Sequence, residues 1–280
     1  TRCARVTGVQ TCALPILSAG RVSTVVGVVV AKLCHAEIGA YIFSLVGLPA
    51  LVNWVSTAYV FLFLRKDLCP HIIFFKFAEI WPDMRLGLQF LILNFAIFAQ
   101  TGVDNILVGW VKGANAVASY DVLFRLFNYV PALCSIAVFP LWPALRNAAT
   151  NGENSWVRRI KRVSYVSVFF IGIIVSFIMF FSYPFVINLW TGLKLPAGSF
   201  LAFDWSIYCV LSSVSLVQSM VMNAKGLVGY QSKILLFLVG TLIPLKILFL
   251  YIIGQSAMVF VLNMFVFVQI VFFEIKLQKT

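Results

Sequence analysis

Five charged side chains fall inside long apolar stretches of this 280-residue chain: Asp104, Asp121, Arg125, Asp204 and Lys246. A charge at the centre of a membrane helix costs at least about 2.5–3.5 kcal/mol on insertion scales. Each of these residues therefore predicts an oppositely charged partner, a water-filled cavity or a charged ligand. Their chemistry would be the binding of an ion or of a charged ligand.

Three of these charges are expected at one depth. At about 1.5 Å per helical residue, Asp104, Arg125 and Lys246 lie roughly 9, 12 and 10 Å below the outer ends of their stretches. Asp121 and Asp204 lie nearer the outer rim. Two interpretations stay open. In the first, the charges only pair, with Asp121 or Asp104 neutralising Arg125 and with Asp204 meeting Lys246. In the second, Arg125 and Lys246 line a shared aqueous cavity. We favour the second, because no carboxylate shares the helix of Lys246.

A polar stripe precedes Asp104 on the same helix. Gln89, Gln100 and Asp104 are 11 and 4 residues apart, so that at about 100° per residue they share one face. Such a face points to a water-filled cavity or to a neighbouring helix. The predicted substrate-binding residues are Arg125, Lys246, Asp104, Gln100 and Gln89. We predict no catalytic residue and no metal site, since His35 and His71 are too few and too far apart in the sequence.

The elements that position these residues are membrane helices. Hydrophobic residues make up 62% of the chain and charged residues 11%, whereas soluble domains carry about 45–50% and about 25%. This composition excludes an ordinary soluble enzyme, a disordered chain and a disulfide scaffold. It predicts an all-α, polytopic membrane helix bundle of about eight transmembrane helices. The expected spans are 17–33, 38–64, 86–110, 117–141, 163–190, 200–224, 234–253 and 257–273.

The basic residues predict an orientation. Thirteen Lys and Arg side chains fall in alternate loops and at the C-terminus, against three in the other loops (Lys32, Lys112 and Lys194). By the positive-inside rule the C-terminus is cytoplasmic, in a multi-pass protein of the inner (cytoplasmic) membrane. The basic segment 158–162 is either a site for anionic lipid or only part of this orientation signal, and we favour the second.

The first sixteen residues have an unusual sequence. Val6–Ile16 reads VTGVQTCALPI, which matches, codon by codon, the translation of a short-read sequencing adapter. We interpret residues 1–16 as an adapter-derived artefact and the gene as truncated at that point. We expect the 280 residues alone to be an inactive fragment of a longer parent.

Several functions lack their sequence signals. The chain has no GxxxxGK[ST] phosphate loop, which argues against an ATP-driven transporter subunit. Its longest outer loop, about 191–199, is too short for a catalytic domain. We therefore predict that the protein is not an enzyme, has no cofactor and does not bind nucleic acid.

One stretch resembles a known family. The segment 104–126, DNILVGWVKGANAVASYDVLFRL, combines an Asp-x-x-apolar-x-Gly motif, a Gly-Ala turn at Gly113 and an Arg-Leu pair at Arg125. It is similar to the start of the second lobe in oligosaccharide repeat-unit flippases of the multidrug/oligosaccharidyl-lipid/polysaccharide exporter superfamily. The segment 140–145, PLWPAL, followed by a basic loop, resembles the exit from that family's eighth helix.

The resemblance implies an architecture of two six-helix lobes around a central cavity. Residues 17–64 would be the last two helices of the N-lobe, 65–85 a cytoplasmic inter-lobe linker and 86–280 the six-helix C-lobe, so that the chain has a partial two-lobe exporter fold.

It also implies a function. The parent would flip a polyprenyl-pyrophosphate-linked oligosaccharide repeat unit across the cytoplasmic membrane for polysaccharide or O-antigen biosynthesis, with Arg125 and Lys246 as cavity cations. The expected partners are this lipid-linked oligosaccharide and membrane lipids, and a coupling cation is left open. The alternatives are a cation-coupled multidrug exporter of the same superfamily and a membrane-embedded glycan polymerase or ligase.

Overall fold

The structure is a computed structural model that describes residues 19–64, 77–196 and 198–279. The adapter-like segment 1–16 and residues 65–76 of the predicted linker lie outside the described residues. The chain divides into two compact units, Thr1–Ala78 and Glu79–Thr280. The boundary between them falls inside the segment 65–85 that the sequence suggests as a linker.

All regular structure in the described ranges is helical, and no residue of these ranges belongs to a strand. The first unit holds α1 (19–33), α2 (Ile38–Ile42) and α3 (Leu48–Tyr59), with π-helical segments at Phe43–Gly47 and Val60–Leu64. Helix α4 (Phe77–Thr101) begins two residues before the boundary and continues into the second unit. The second unit also contains α5 (Asp104–Lys112), α6 (Ala114–Val138), α7 (Leu141–Thr150), α8 (Asn154–Thr191), α9 (Phe200–Ala224), α10 (Val228–Ile252) and α11 (Gln255–Gln278).

Seven helical stretches of the described chain are long and apolar enough to cross a membrane: Ile38–Phe63, Ile80–Lys112, Ala114–Val138, Asn154–Thr191, Phe200–Ala224, Val228–Ile252 and Gln255–Gln278. The remaining predicted span, 17–33, lies only partly within the described residues, where it is helical from 19 to 33. The prediction of an all-α, polytopic membrane helix bundle is confirmed.

In the first unit, two helical stretches approach closely at Gly27. A methyl group at this position would require the end of the Leu48 side chain to move, and it would lie 3.0 Å from Ser44 Cβ. Small residues permit such close approach of helices in a membrane.

Two segments differ in detail from the sequence expectation. The third span, expected over 86–110, lies within one membrane-spanning stretch, Ile80–Lys112, but this stretch consists of two helices, α4 and α5, with a break at Gly102 and Val103. Glycine disfavours the helix interior, and the chain resumes its helix at Asp104. The basic stretch 142–162, which lies between the predicted spans 117–141 and 163–190, is helical in α7 and in the first turns of α8. Hydropathy misses these turns because they are amphipathic, with Leu145 and Val157 buried.

Helix α9 forms the centre of the second unit, where it packs against α6, α7, α8, α10 and α11. Two apolar clusters surround it along its length. One includes Trp205, Phe127 and Tyr183, and the other includes Met222 and Phe273. Both clusters join residues from several helices, so the core of the second unit surrounds α9 in two clusters.

The two ends of this bundle differ. The Gly113 end carries the α5–α6 turn, in which Gly113 has φ 85°, and the α10–α11 turn, in which Gly254 has φ 130°. Gln255 Nε2 donates a hydrogen bond of 2.8 Å to the Ala116 carbonyl and joins these turns. The opposite end, called here the Lys225 end, carries the α9–α10 turn at Lys225 and the C-terminus of α11.

Candidate polar site in the helix bundle

A buried ion pair links α10 to α5. Lys246 Nζ lies 2.6 Å from Asp104 Oδ1 and 2.9 Å from Asp104 Oδ2, and both side chains are 1% exposed. The ammonium also donates a hydrogen bond of 2.6 Å to the backbone carbonyl of Gln100. The three oxygens match the three N–H donors of a lysine, so the ammonium is fully satisfied within the protein.

Tyr120 of α6 completes the surroundings of Asp104. Its hydroxyl donates a hydrogen bond of 2.7 Å to Asp104 Oδ2. Its ring meets the Trp205 ring edge-on, with centroids 5.3 Å apart, and both residues are almost fully buried. The carboxylate of Asp104 therefore binds α5, α6 and α10 together inside the core.

The break between α4 and α5 explains why these groups meet. The last carbonyls of a helix lack intrahelical partners, and Gln100 lies in the last turn of α4. Lys246 binds this carbonyl. Asp104 is the first residue of α5, where a carboxylate is favoured by the positive end of the helix dipole. A cation is therefore favoured at the end of α4 and an anion at the start of α5. Lys246 and Asp104 supply these two charges.

A second polar link joins α5 to α6 and begins one residue further along α5. Asn105 Nδ2 donates a hydrogen bond of 2.8 Å to Asp121 Oδ1, and Arg125 Nε lies 2.6 Å from Asp121 Oδ2. Unlike the first link, this one reaches the protein surface, because the Arg125 side chain is 64% exposed and that of Asp121 is 22% exposed. Asp121 holds the Arg125 guanidinium one helical turn nearer to the Gly113 end of α6.

The observed pairs confirm one predicted pairing and correct two others. Asp121 neutralises Arg125, as the i,i+4 spacing indicated. Asp104 does not bind Arg125, and Lys246 does not bind Asp204. Lys246 binds Asp104 instead, and Asp204 accepts a hydrogen bond from the Ser256 hydroxyl. The depth of a residue along its helix does not show which way the helix is rotated about its axis. Depth alone therefore could not distinguish these partners.

Arg125 and Lys246 consequently have different surroundings. Lys246 is enclosed by protein, whereas Arg125 lies on the exposed side of α6 beside Tyr129, which is 54% exposed. The structure brings Asp104 and Lys246 together with Gln100, and it leaves Arg125 outside this group.

The polar stripe of α4 faces a neighbouring helix. Gln100 contributes its backbone carbonyl to Lys246. The side-chain amide of Gln89 lies against Gly229 of α10, where a methyl group would be 3.2 Å from Gln89 Nε2. Ala96, between them, is fully buried. Of the two environments predicted for this stripe, the contacts support the one beside a helix.

A further network at the Lys225 end was not predicted. Glu274 of α11 accepts from Lys161 Nζ at 2.7 Å and from the Tyr165 hydroxyl at 3.2 Å, both on α8. Gln218 of α9 donates to the Ile270 carbonyl at 3.0 Å. Glu274 was not predicted, because the expected eighth span ends at residue 273. The carboxylate in an otherwise apolar stretch was the available signal.

Lys225, in the turn after α9, is close enough to this network to be affected by it. Burial lowers the pKa of Lys225 below its ordinary value, and the positive charge of Lys161 lowers it further. The negative charge of Glu274 acts in the opposite direction. The pKa of Lys225 therefore depends on the charges of both Lys161 and Glu274.

Within the described ranges, no group of three or more His, Cys, Asp or Glu side chains could hold a metal ion. No family model matches the chain, and no curated protein and no solved structure is significantly similar to it. The resemblance of 104–126 to polysaccharide exporters therefore stays a prediction.

Proposed function

We propose that this multi-pass membrane protein is part of a transporter that flips a polyprenyl-pyrophosphate-linked oligosaccharide repeat unit across the cytoplasmic membrane. The movement would run by alternating access of two lobes, with the C-terminus of this chain in the cytoplasm. The motif resemblance in 104–126 and the thirteen basic residues in alternate loops and at the C-terminus support the substrate class and the orientation, respectively.

The observation that carries the proposal is the exposure of Arg125 in a membrane-spanning helix. Its side chain is 64% exposed within the span Ala114–Val138. A charge at this position is too costly to face hydrocarbon, and intramembrane charges usually line water-filled pathways. Because guanidinium groups bind phosphate oxygens in a bidentate manner, an aqueous path beside Arg125 suits a pyrophosphate or an acidic sugar.

The buried pair has a different role in this proposal. Asp104, Lys246 and the Gln100 carbonyl satisfy one another, so they hold the α4–α5 break in shape and keep the α5–α6 hairpin in position. Discontinuous helices with polar groups at the break are typical of the substrate regions of secondary transporters. Arg125 is then the residue that contacts substrate, while Asp104, Lys246 and the Gln100 carbonyl hold α5 against α6, the helix that carries Arg125.

A flipping assay tests the proposal. The full-length protein is reconstituted into liposomes with a fluorescent polyprenyl-pyrophosphate-linked oligosaccharide, and an impermeant quencher measures transfer between leaflets. We expect Arg125→Ala to lower the rate at least about tenfold, since a charged hydrogen bond contributes about 1.5–3 kcal/mol, and Arg125→Lys to retain part of it. Lys112→Ala is the matched control, because it also removes one cation, at the C-terminus of α5. This variant should transport at the wild-type rate. An unchanged rate in Arg125→Ala would contradict the proposal.

A further inference from the structure

A groove of about 660 Å³ lies between α8 and α11 at the Lys225 end of the bundle. Its polar side is lined by Arg158, Lys161 and Arg162 of α8 and by Glu274 of α11. Its apolar side is lined by Val166, Val271 and Ile275, among others. The groove is therefore amphipathic along its length.

The cations of this groove are unequally compensated. Lys161 is bound to Glu274, and Tyr165 also donates to that carboxylate. Arg158 and Arg162, one helical turn apart, are exposed and have no ion pair or side-chain hydrogen bond with any described residue. Three cations and one carboxylate leave a net charge of +2. The exposed guanidinium groups of Arg158 and Arg162 carry this charge.

The apolar side of the groove is exposed on the lateral surface of membrane-spanning helices. Val166 is 50% exposed and Ile275 45% exposed, and both lie within the spans Asn154–Thr191 and Gln255–Gln278. The long apolar run of α8 begins at Val163, directly after the basic segment. The junction of charged and apolar residues is where the phosphates and acyl chains of a bilayer meet.

We propose that this groove binds one anionic phospholipid. The phosphate diester lies between the Arg158 and Arg162 guanidinium groups, and an acyl chain runs along Val166, Val271 and Ile275. The Lys161–Glu274 pair fixes the spacing of α8 and α11, and it neutralises the one carboxylate among the described residues that line the groove. A soluble phosphate ligand would leave the apolar side without a partner, so charge and apolar surface together favour a lipid.

The proposal is independent of what the protein transports, and it changes the interpretation of segment 158–162. An orientation signal needs only basic residues on one side of the membrane. A lipid site additionally needs unpaired cations next to an exposed apolar groove, and α8 and α11 provide both.

Photocrosslinking tests it on the full chain in phosphatidylcholine vesicles that contain a trace of photoactivatable phosphatidylglycerol. We expect crosslinks to map to 158–166 and 271–278. The double variant Arg158→Gln/Arg162→Gln should label about thirty-fold less, because each cation beside anionic lipid contributes a factor of about five to six. Arg158→Lys/Arg162→Lys should keep most of the labelling.

The matched control is Arg146→Gln/Lys233→Gln. It removes two exposed cations from the same end of the bundle but outside the groove, and it should label like the wild type. Elution as a single species in size-exclusion chromatography establishes that each variant is folded. Equal labelling of Arg158→Gln/Arg162→Gln and wild type would overturn the proposal. So would equal labelling by a phosphatidylcholine probe, or loss of the label on adding glycerophosphate, which would assign the cations to a soluble phosphate.

Discussion

Lys246, in the C-terminal half of α10, binds both carboxylate oxygens of Asp104, the first residue of α5, at 2.6 and 2.9 Å. The two residues are 142 positions apart in the sequence and both are almost completely buried. Because Lys246 also binds the Gln100 carbonyl at the end of α4, a single ammonium connects the two halves of a broken helix. The break is therefore a fixed feature of the second unit.

The first prediction concerns this pair. Asp104→Asn and Lys246→Met should each lower the free energy of unfolding by about 3–5 kcal/mol, because each leaves one uncompensated charge in the core. The double variant Asp104→Asn/Lys246→Met should be closer to the wild type than either single variant. Reversible unfolding in mixed micelles measures all three.

Lys112→Met provides the control for this series, since it removes an exposed lysine at the end of α5 and should change stability by less than about 0.5 kcal/mol. If the losses of the two single variants simply add in the double variant, the charges do not interact and the pairing is wrong.

Tyr120 should stabilise the fold through its hydroxyl as well as its ring. Tyr120→Phe removes the hydrogen bond of 2.7 Å to Asp104 and keeps the ring against Trp205. We expect a loss of about 1.5–3 kcal/mol, the range for hydrogen bonds to charged groups. Tyr208→Phe is the control, because the Tyr208 ring packs on the same Trp205 at 5.3 Å and its hydroxyl has no hydrogen bond to any described residue. Equal losses in the two variants would refute the role of the Tyr120 hydroxyl.

Gly102 should be required at the break between α4 and α5. A methyl group there would lie 2.8 Å from the Phe98 carbonyl oxygen and 2.5 Å from the Phe98 ring. We expect Gly102→Ala to destabilise the protein by about 1–3 kcal/mol, as overpacking does. Gly240→Ala is the control, since nothing lies within 4 Å of its added methyl and it should be neutral or slightly stabilising. Melting temperatures of the two purified variants decide the comparison.

The membrane fold could be predicted from the sequence because it depends on additive properties. Long apolar runs require helices in a bilayer, and the glycine-containing turns at Gly113 and Gly254 separate them. The break at Gly102 was not predicted, since both halves are apolar and hydropathy averages over them. Glycines occur elsewhere in these helices without a break, as at Gly240 in α10.

The charged residues of the site could be predicted individually, but most of their partners could not. The i,i+4 pair of Asp121 and Arg125 follows from helix periodicity alone. The partner of Lys246 depends on which faces of α5 and α10 meet, and this is decided by the packing of the whole bundle. Tyr120 carries no charge, so its hydrogen bond to Asp104 gave no signal in the sequence.

Lys225 should report the charge of Glu274 through its own titration. Glu274→Gln removes the attraction that partly offsets burial and Lys161, so the pKa of Lys225 should fall further below its ordinary value. The folded state then binds fewer protons than the unfolded state between the lowered pKa and the ordinary value, and in this window the contribution of Lys225 to stability should increase with pH. NMR of ¹³C-methylated lysines, with Lys225→Arg for assignment, measures the shift.

Glu153→Gln is the corresponding control. Glu153 precedes α8 and is exposed, and it is not among the groups that shift the pKa of Lys225. An unchanged Lys225 titration in Glu274→Gln would show that the network at the Lys225 end does not extend to this lysine.

The most direct test of the transport proposal is whether water reaches position 125 inside the membrane. In a variant without native cysteines, Arg125→Cys is treated in intact membranes with a charged, impermeant thiol reagent. Lys112→Cys in the turn region serves as the water-exposed reference. Ile174→Cys, on the exposed apolar side of α8, serves as the lipid-facing reference. A cysteine is too short to extend to the membrane surface as an arginine can. We predict that Arg125→Cys reacts at a rate close to that of Lys112→Cys, and an unreactive Arg125→Cys, like Ile174→Cys, would contradict an aqueous path along α6.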